Sequence, residues 1–135
     1  MAPRIVVPST AADAPEIISL TAGSTGLPKG VILAHANLMA NIRAMGARIE
    51  VRPDDVLVSW LPLSHNMGLI AAWLAPLYFG IPLVIASPLA FLSRPETWLH
   101  MISRHRGTIT AAPNFAYDRC ARHLAAEALV GIDLS

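Results

Sequence analysis

The sequence predicts an α/β fold, a partial parallel sheet with flanking helices. Three observations carry this. From Val56 onward, short apolar runs alternate with helical patterns in the order strand, helix, strand, helix, strand, helix, as in a parallel sheet with crossover helices. Val56 to Leu61 and Leu83 to Ala86 read as buried strands, as in sheets covered on both faces. Hydrophobic residues make up 54% of the 135 residues and charged ones only 14%, against about 45–50% and about a quarter in ordinary domains. Some of the surface is therefore expected to meet further protein.

Each element has a local cause. Residues 1–14 are rich in Pro and Ala and are expected to form a flexible tail. Glu16 to Leu20 reads as a strand. Thr21 to Gly30, full of Gly, Ser and Thr, reads as a loop, and Gly30 to Ala34 as a second strand. Leu38, Ile42, Met45 and Ile49 recur at helical spacing. Arg52-Pro53-Asp54-Asp55 reads as a turn, and Val56 to Leu61 as a buried strand. Asn66 is the expected cap of a helix that runs to about Phe79 and stops at Gly80. Leu83 to Ala86 is the next strand. Ser93-Arg94-Pro95-Glu96 has the form of a capping box, and the helix behind it is expected to end with Arg104 and Arg106 before Gly107. Thr108 to Ala111 is a short strand. Asn114 is the expected cap of a last helix, with Asp118 and Arg122 as an i,i+4 pair. His65 and Asn114 each follow a strand end, where ligands sit in such sheets.

Composition excludes several classes. No Asp, Glu, Lys or Arg occurs between Asp55 and Arg94, and the apolar stretch is long enough to suggest a membrane span. Pro76, Pro82 and Pro88 interrupt it, too many prolines for one continuous helix, so a buried helix followed by a buried strand is expected. The net charge of +1 gives no reason to expect nucleic acid or an anionic membrane as partner. The first residues lack an apolar signal-peptide core, and a cytoplasmic setting is expected. Cys120, the single cysteine, has no partner for an internal disulfide and reads as a small buried hydrophobe. His35, His100, His105 and His123 show no metal-ligand spacing.

The segment Thr21-Ala22-Gly23-Ser24-Thr25-Gly26-Leu27-Pro28-Lys29-Gly30 carries the most chemistry. A polyphosphate needs several N–H donors aimed at one place, together with positive charge. Gly23 and Gly26 let the backbone curl and approach closely. Ser24 and Thr25 add hydroxyl donors, Lys29 a point charge, and Pro28 stiffness. It is not a Walker A loop, which needs Gly before its Lys and Ser or Thr after it. Composition alone would favour a flexible hairpin loop; the complete string decides otherwise.

The complete string is similar to the signature loop of the adenylate-forming superfamily, which includes acyl-CoA synthetases, luciferases and peptide-synthetase adenylation domains. Their pattern runs roughly T-S-G-S-T-G-x-P-K-G; only Ala22 departs, losing a hydroxyl but no backbone donor. His35, Asn37 and Leu38 match the S-H-x-N-L region that follows. Trp60-Leu61-Pro62-Leu63-Ser64-His65-Asn66-Met67-Gly68-Leu69 resembles the next motif in its fatty-acyl-AMP ligase form, W-L-P-x-x-H-D-M-G-L. Ser87 to Leu92, Arg94-Pro95 and Ala112 to Asp118 resemble the same subfamily. Asn66 stands where that subfamily has Asp, a neutral amide for a carboxylate. It keeps the capping function but loses any charge that orients His65.

The resemblance implies that residues 15–135 are part of the large N-terminal AMP-binding domain. It implies activation of a fatty acid with ATP to acyl-adenylate and pyrophosphate, for transfer to an acyl carrier protein or polyketide synthase. Thr21, Ala22, Gly23, Ser24, Thr25, Gly26 and Lys29 would hold the nucleotide phosphates, and His65 would line the acyl-carboxylate and adenylate region. Met67, Gly68, Trp73, Phe115 and Tyr117 are candidate acyl-lining residues, although at helical spacing they suit plain core at least as well, and Asn114 is a further candidate substrate residue. Magnesium is implied, with its ligand expected outside this chain. No Y-G-x-T-E-like motif, ribose-binding Asp motif or C-terminal lid with its catalytic Lys is found. The chain is therefore expected to be an internal piece that does not adenylate alone and tends to self-associate. A fatty-acyl-CoA ligase piece, a noncatalytic nucleotide-binding remnant and an interaction module that complements a larger ligase are the alternatives.

Overall fold

The computed structural model describes residues 11–22, 28–124 and 129–135. They belong to two compact units, Met1–Ala44 and Met45–Ser135.

In the first unit, β1 (Pro15–Ala22) pairs antiparallel with β2 (Pro28–Ala34). Both strands are longer than predicted. The ladder runs on through Thr21↔Lys29 and Ala22↔Pro28, so both ends of the expected loop are strand. Pro28 is tolerated because it opens its strand. Ile18 faces Ile32, and Leu20 faces Gly30. The three apolar side chains of that face are 66%, 63% and 76% exposed for Ile18, Ile32 and Leu20, in keeping with the expected apolar surface.

Helix α1 (His35–Ile49) follows β2 directly. Its first backbone donors have no partner inside the helix. Ala14 O accepts from His35 N at 3.1 Å and Ala12 O from Ala36 N at 2.8 Å, so both acceptors lie in the expected tail. Leu38 and Ile42 are buried, but Ile49 is 56% exposed. Gly46 takes the inward place, and a Cβ there would strike the Phe79 ring. Glu50, at φ 55°, ends the helix.

In the second unit, β3 (Leu57–Ser59) pairs parallel with β4 (Leu83–Ile85). The strand expected over Thr108 to Ala111 is reduced to a parallel bridge from Ile109 to Leu57. Val58 N donates to Ile109 O at 2.9 Å and Leu57 N to Pro82 O at 3.0 Å, so β3 lies in the middle. The parallel sheet with flanking helices is thus present, with short strands.

The crossover from β3 to β4 is a π-helix, Met67–Leu74, that runs into α2 (Ala75–Phe79). Pro76 has no N–H, and its ring crowds the preceding turn. The wider turn, in which Ala75 N reaches Ile70 O, accommodates it. Gly80, at φ 69°, closes α2 as expected. No helix among the described residues is long and apolar enough to cross a membrane.

Three local expectations fail. Ser93 and Glu96 form no capping box, because Ser93 ends a helix that was not foreseen, α3 (Pro88–Ser93). The cap of α3 is Ser87, whose hydroxyl accepts from Leu89 N at 3.2 Å. Glu96 instead meets Arg94 Nε at 3.0 Å and opens α4 (Glu96–His105). The left-handed residue after α4 is Arg106, at φ 52°, rather than Gly107. Gly107 is needed for space, since a Cβ there would lie 2.5 Å from Val58 Cγ2. The last helix, α5 (Asn114–His123), has Pro113 rather than Asn114 in the cap place, with no side-chain cap bond. The Asp118–Arg122 pair forms as expected, at 2.6 Å.

Candidate functional site

Of the phosphate-loop residues, Thr21, Ala22 and Lys29 lie on the paired strands β1 and β2. Thr21 and Ala22 close β1, and Lys29 stands opposite Thr21 in β2. Lys29 is exposed. Gly23, Ser24, Thr25 and Gly26 lie outside the described residues. At the other end of this pair, His35 Nδ1 lies 3.2 Å from Glu16 Oε1, and Asn37 Oδ1 accepts from Ala34 N at 2.9 Å. These contacts tie the strand pair to the start of α1.

His65 sits after β3 in a tight turn. Its N–H donates to Pro62 O at 3.1 Å, and its carbonyl accepts from Leu69 N at 2.8 Å. Its ring Nδ1 accepts from Met67 N at 3.2 Å. The capping expected of Asn66 is therefore carried by His65, since Asn66 makes no side-chain cap bond and has helical φ and ψ of −54° and −36°. A residue already in the helix cannot turn its side chain back to cap it. Asn66 and His65 are both exposed. Met67 packs partly against the core. Gly68 is buried, and a Cβ on it would collide with Pro62 O.

Beyond the same strand end lies an aromatic cluster. Trp60 is 3% exposed and stacks on Phe91 at 3.9 Å between centroids. Trp98 and Phe115 meet Trp60 edge-on at 6.2 and 6.1 Å. Tyr117 meets Trp98 at 5.4 Å. Phe115 and Tyr117 remain 53% and 49% exposed, so the first turn of α5 presents aromatic surface while anchoring to the core. Asn114 beside them is exposed. Trp60 and Pro62 were read only as parts of a motif, without roles of their own. The signal for Trp60 is an aromatic residue near the end of an expected buried strand.

Two further groups complete the chemistry. Burial pushes the Cys120 thiol above its ordinary value, against a smaller lowering by Arg119, which suits an unreactive thiol. Among the described residues, no group of three or more His, Cys, Asp or Glu side chains is placed to hold a metal ion.

The family described as AMP-binding enzyme matches residues 3–134. A medium-chain-fatty-acid–[acyl-carrier-protein] ligase of Teredinibacter turnerae is 39% identical over 130 residues, 96% of this chain and 20% of that protein. A putative fatty-acid–CoA ligase of Mycobacterium tuberculosis is 40% identical over 128 residues, 89% of this chain and 22% of that protein. Among solved structures, a fatty acyl-adenylate ligase from L. pneumophila, in complex with acyl adenylate and pyrophosphate, superposes with a TM-score of 0.89. It is 38% identical, and the match covers 95% of this chain and 23% of that one. The chain thus spans about a fifth of the length of these relatives.

Proposed function

This chain belongs to the AMP-binding enzyme family, and from that premise we propose that its protein activates a fatty acid with ATP and passes the acyl group to an acyl carrier protein. Residues 15–135 are then part of the AMP-binding domain. One observation carries the reading. The chain matches, over nearly all its length, a relative named as a fatty-acid–[acyl-carrier-protein] ligase and a structure that holds acyl adenylate with pyrophosphate.

In this reading a carboxylate oxygen of the fatty acid attacks the α-phosphorus of ATP. The bond from that phosphorus to the bridging oxygen breaks, and pyrophosphate leaves with the electron pair. The protein's share is to orient the partners and offset charge on the leaving group. Backbone N–H groups of Gly23, Ser24, Thr25 and Gly26, the hydroxyls of Thr21, Ser24 and Thr25, and the Lys29 ammonium suit the β- and γ-phosphates. Ala22 contributes backbone alone. His65 serves the carboxylate and adenylate oxygens as a hydrogen-bond donor. Phe115 and Tyr117, exposed at the start of α5, line the acyl chain with Asn114, while Met67 and Gly68 hold the turn beneath His65.

Magnesium would enter with the nucleotide. The described residues gather no cluster for it, and no step runs through the ion. A polyketide synthase would serve as acceptor through its own carrier domain, and a cytoplasmic setting suits a reaction that consumes ATP.

The name of the mycobacterial relative supports a second acceptor, coenzyme A. Labelled fatty acid, ATP and both acceptors, given together to the protein as the cell makes it, separate the two. Label on the carrier protein supports the reading. Label on coenzyme A alone sinks the acceptor assignment and leaves the adenylation.

A further inference from the structure

Gly68, Pro62 and Met67 surround His65 in a way that specifies its chemistry. Three of its polar groups have partners. The backbone N–H goes to Pro62 O at 3.1 Å, and the carbonyl receives Leu69 N at 2.8 Å. Nδ1 receives Met67 N at 3.2 Å. A ring nitrogen that accepts from an N–H carries no proton. In a neutral imidazole the proton then sits on Nε2, and Nε2 has no partner among the described residues. Pro62 O both accepts from His65 N and covers Gly68, where any Cβ would strike it. The carbonyl that seats His65 therefore reaches its place only because residue 68 has no side chain.

We infer that Gly68 is a positioning residue, holding the Pro62–His65–Met67 turn so that His65 offers a single hydrogen-bond donor, Nε2–H, to an anionic oxygen. The inference rests on the proposed adenylation for its purpose, and on the turn's geometry for its content. A side chain at Gly68 would push Pro62 O away, loosen the His65 N–H contact and swing the ring off Met67 N. The ring would then exchange tautomers, and its donor would lose its aim.

The test is ring-nitrogen NMR of the full chain, with uniform 15N labelling and His65 assigned by its loss in His65→Gln. Wild type is expected to show one neutral tautomer, protonated at Nε2 and bare at Nδ1. Gly68→Ala is expected to move both ring nitrogens toward the averaged values of exchanging tautomers, with unchanged far-UV circular dichroism. In an active preparation, kcat should fall roughly tenfold to a hundredfold with KM for ATP little changed, as expected for a misplaced catalytic group. A wild-type ring protonated at Nδ1, or averaged between tautomers, overturns the inference, and needs no folded variant to do so. So does a folded Gly68→Ala variant with the wild-type ring spectrum. A locked ring in a protein that makes no acyl-adenylate sinks the functional reading and leaves this one standing.

Discussion

The indole of Trp60 lies flat on the Phe91 ring, with centroids 3.9 Å apart and planes 9° from parallel. Phe91 belongs to α3, so this stack joins the end of β3 to the helix that the sequence reading missed. Phe91 is fully buried. Truncating a buried Phe costs about 3–5 kcal/mol through lost transfer energy and the cavity left behind. Phe91→Ala should therefore unfold at much lower urea concentration, or fail to fold. Leu89→Ala, on the same helix but 72% exposed, should stay within about 0.5 kcal/mol. Equal effects would show that the stack does not hold α3.

The turn after α4 offers a test of two residues with different tasks. Gly107→Ala should destabilise by roughly 1–3 kcal/mol, as overpacking does, because the new methyl meets Val58 Cγ2. Adding Val58→Ala should give back part of that loss, a coupling that double-mutant cycles detect. Arg106→Gly should be neutral or stabilising by up to about 1 kcal/mol, since Arg106 holds a left-handed φ of 52°. Thermal melts of the four variants decide this. Strict additivity would argue against the contact.

These elements show what was legible and what was not. Strand and helix alternation from Val56, the stop at Gly80 and the Asp118–Arg122 pair follow local rules that one stretch of chain carries by itself. The left-handed Arg106 was hidden because Gly107 beside it looked like the usual stop, while space near Val58 is a tertiary constraint. Ser87-Pro88 was a readable cap, overlooked because Ser93 to Glu96 gave a stronger local pattern. The burial of Gly46 in place of Ile49 depends on where the Phe79 ring lies, which no spacing rule contains. At the candidate site, His65 was singled out by its motif. Its capping of Met67 was not, because the neighbouring Asn66 is the better cap by type and the turn puts it one residue too far along.

A third test concerns pH. The Thr108 hydroxyl donates to Asp55 Oδ1 at 2.7 Å, and Arg52 N to Oδ2 at 2.7 Å. These two bonds, the hydroxyl first, hold the Asp55 carboxyl below its usual value. A carboxylate with a lowered folded pKa adds stability above its unfolded pKa of about 4, and that stability is lost as pH falls through the folded value. Asp55→Ala should be less stable than wild type by up to about 1 kcal/mol at neutral pH, since solvent screens both bonds, with the gap closing on acidification below about pH 4. Urea titrations at several pH values check it. A gap that stays constant would show that the charge contributes nothing.

Lys29 stands in β2 opposite Thr21, with the string Gly23 to Gly26 following Thr21 and Ala22 in sequence. If it meets phosphate, Lys29→Ala should weaken ATP binding about tenfold to a hundredfold, the worth of one charge-assisted hydrogen bond. Lys29→Arg should lose less affinity. Calorimetric titration measures both. Unchanged affinity in Lys29→Ala would mean that the loop does not hold the nucleotide through this residue.

The most direct measurement is acyl-adenylate itself, detected by mass after the protein as the cell makes it is given ATP, magnesium and a panel of fatty acids. The expected result is acyl-AMP with at least one fatty acid, equimolar with pyrophosphate and strongly reduced by Lys29→Ala and by His65→Ala. ATP turnover without acyl-AMP, or acyl-AMP that both variants make at the wild-type rate, would contradict the assignment of this chain to fatty-acid adenylation through these residues.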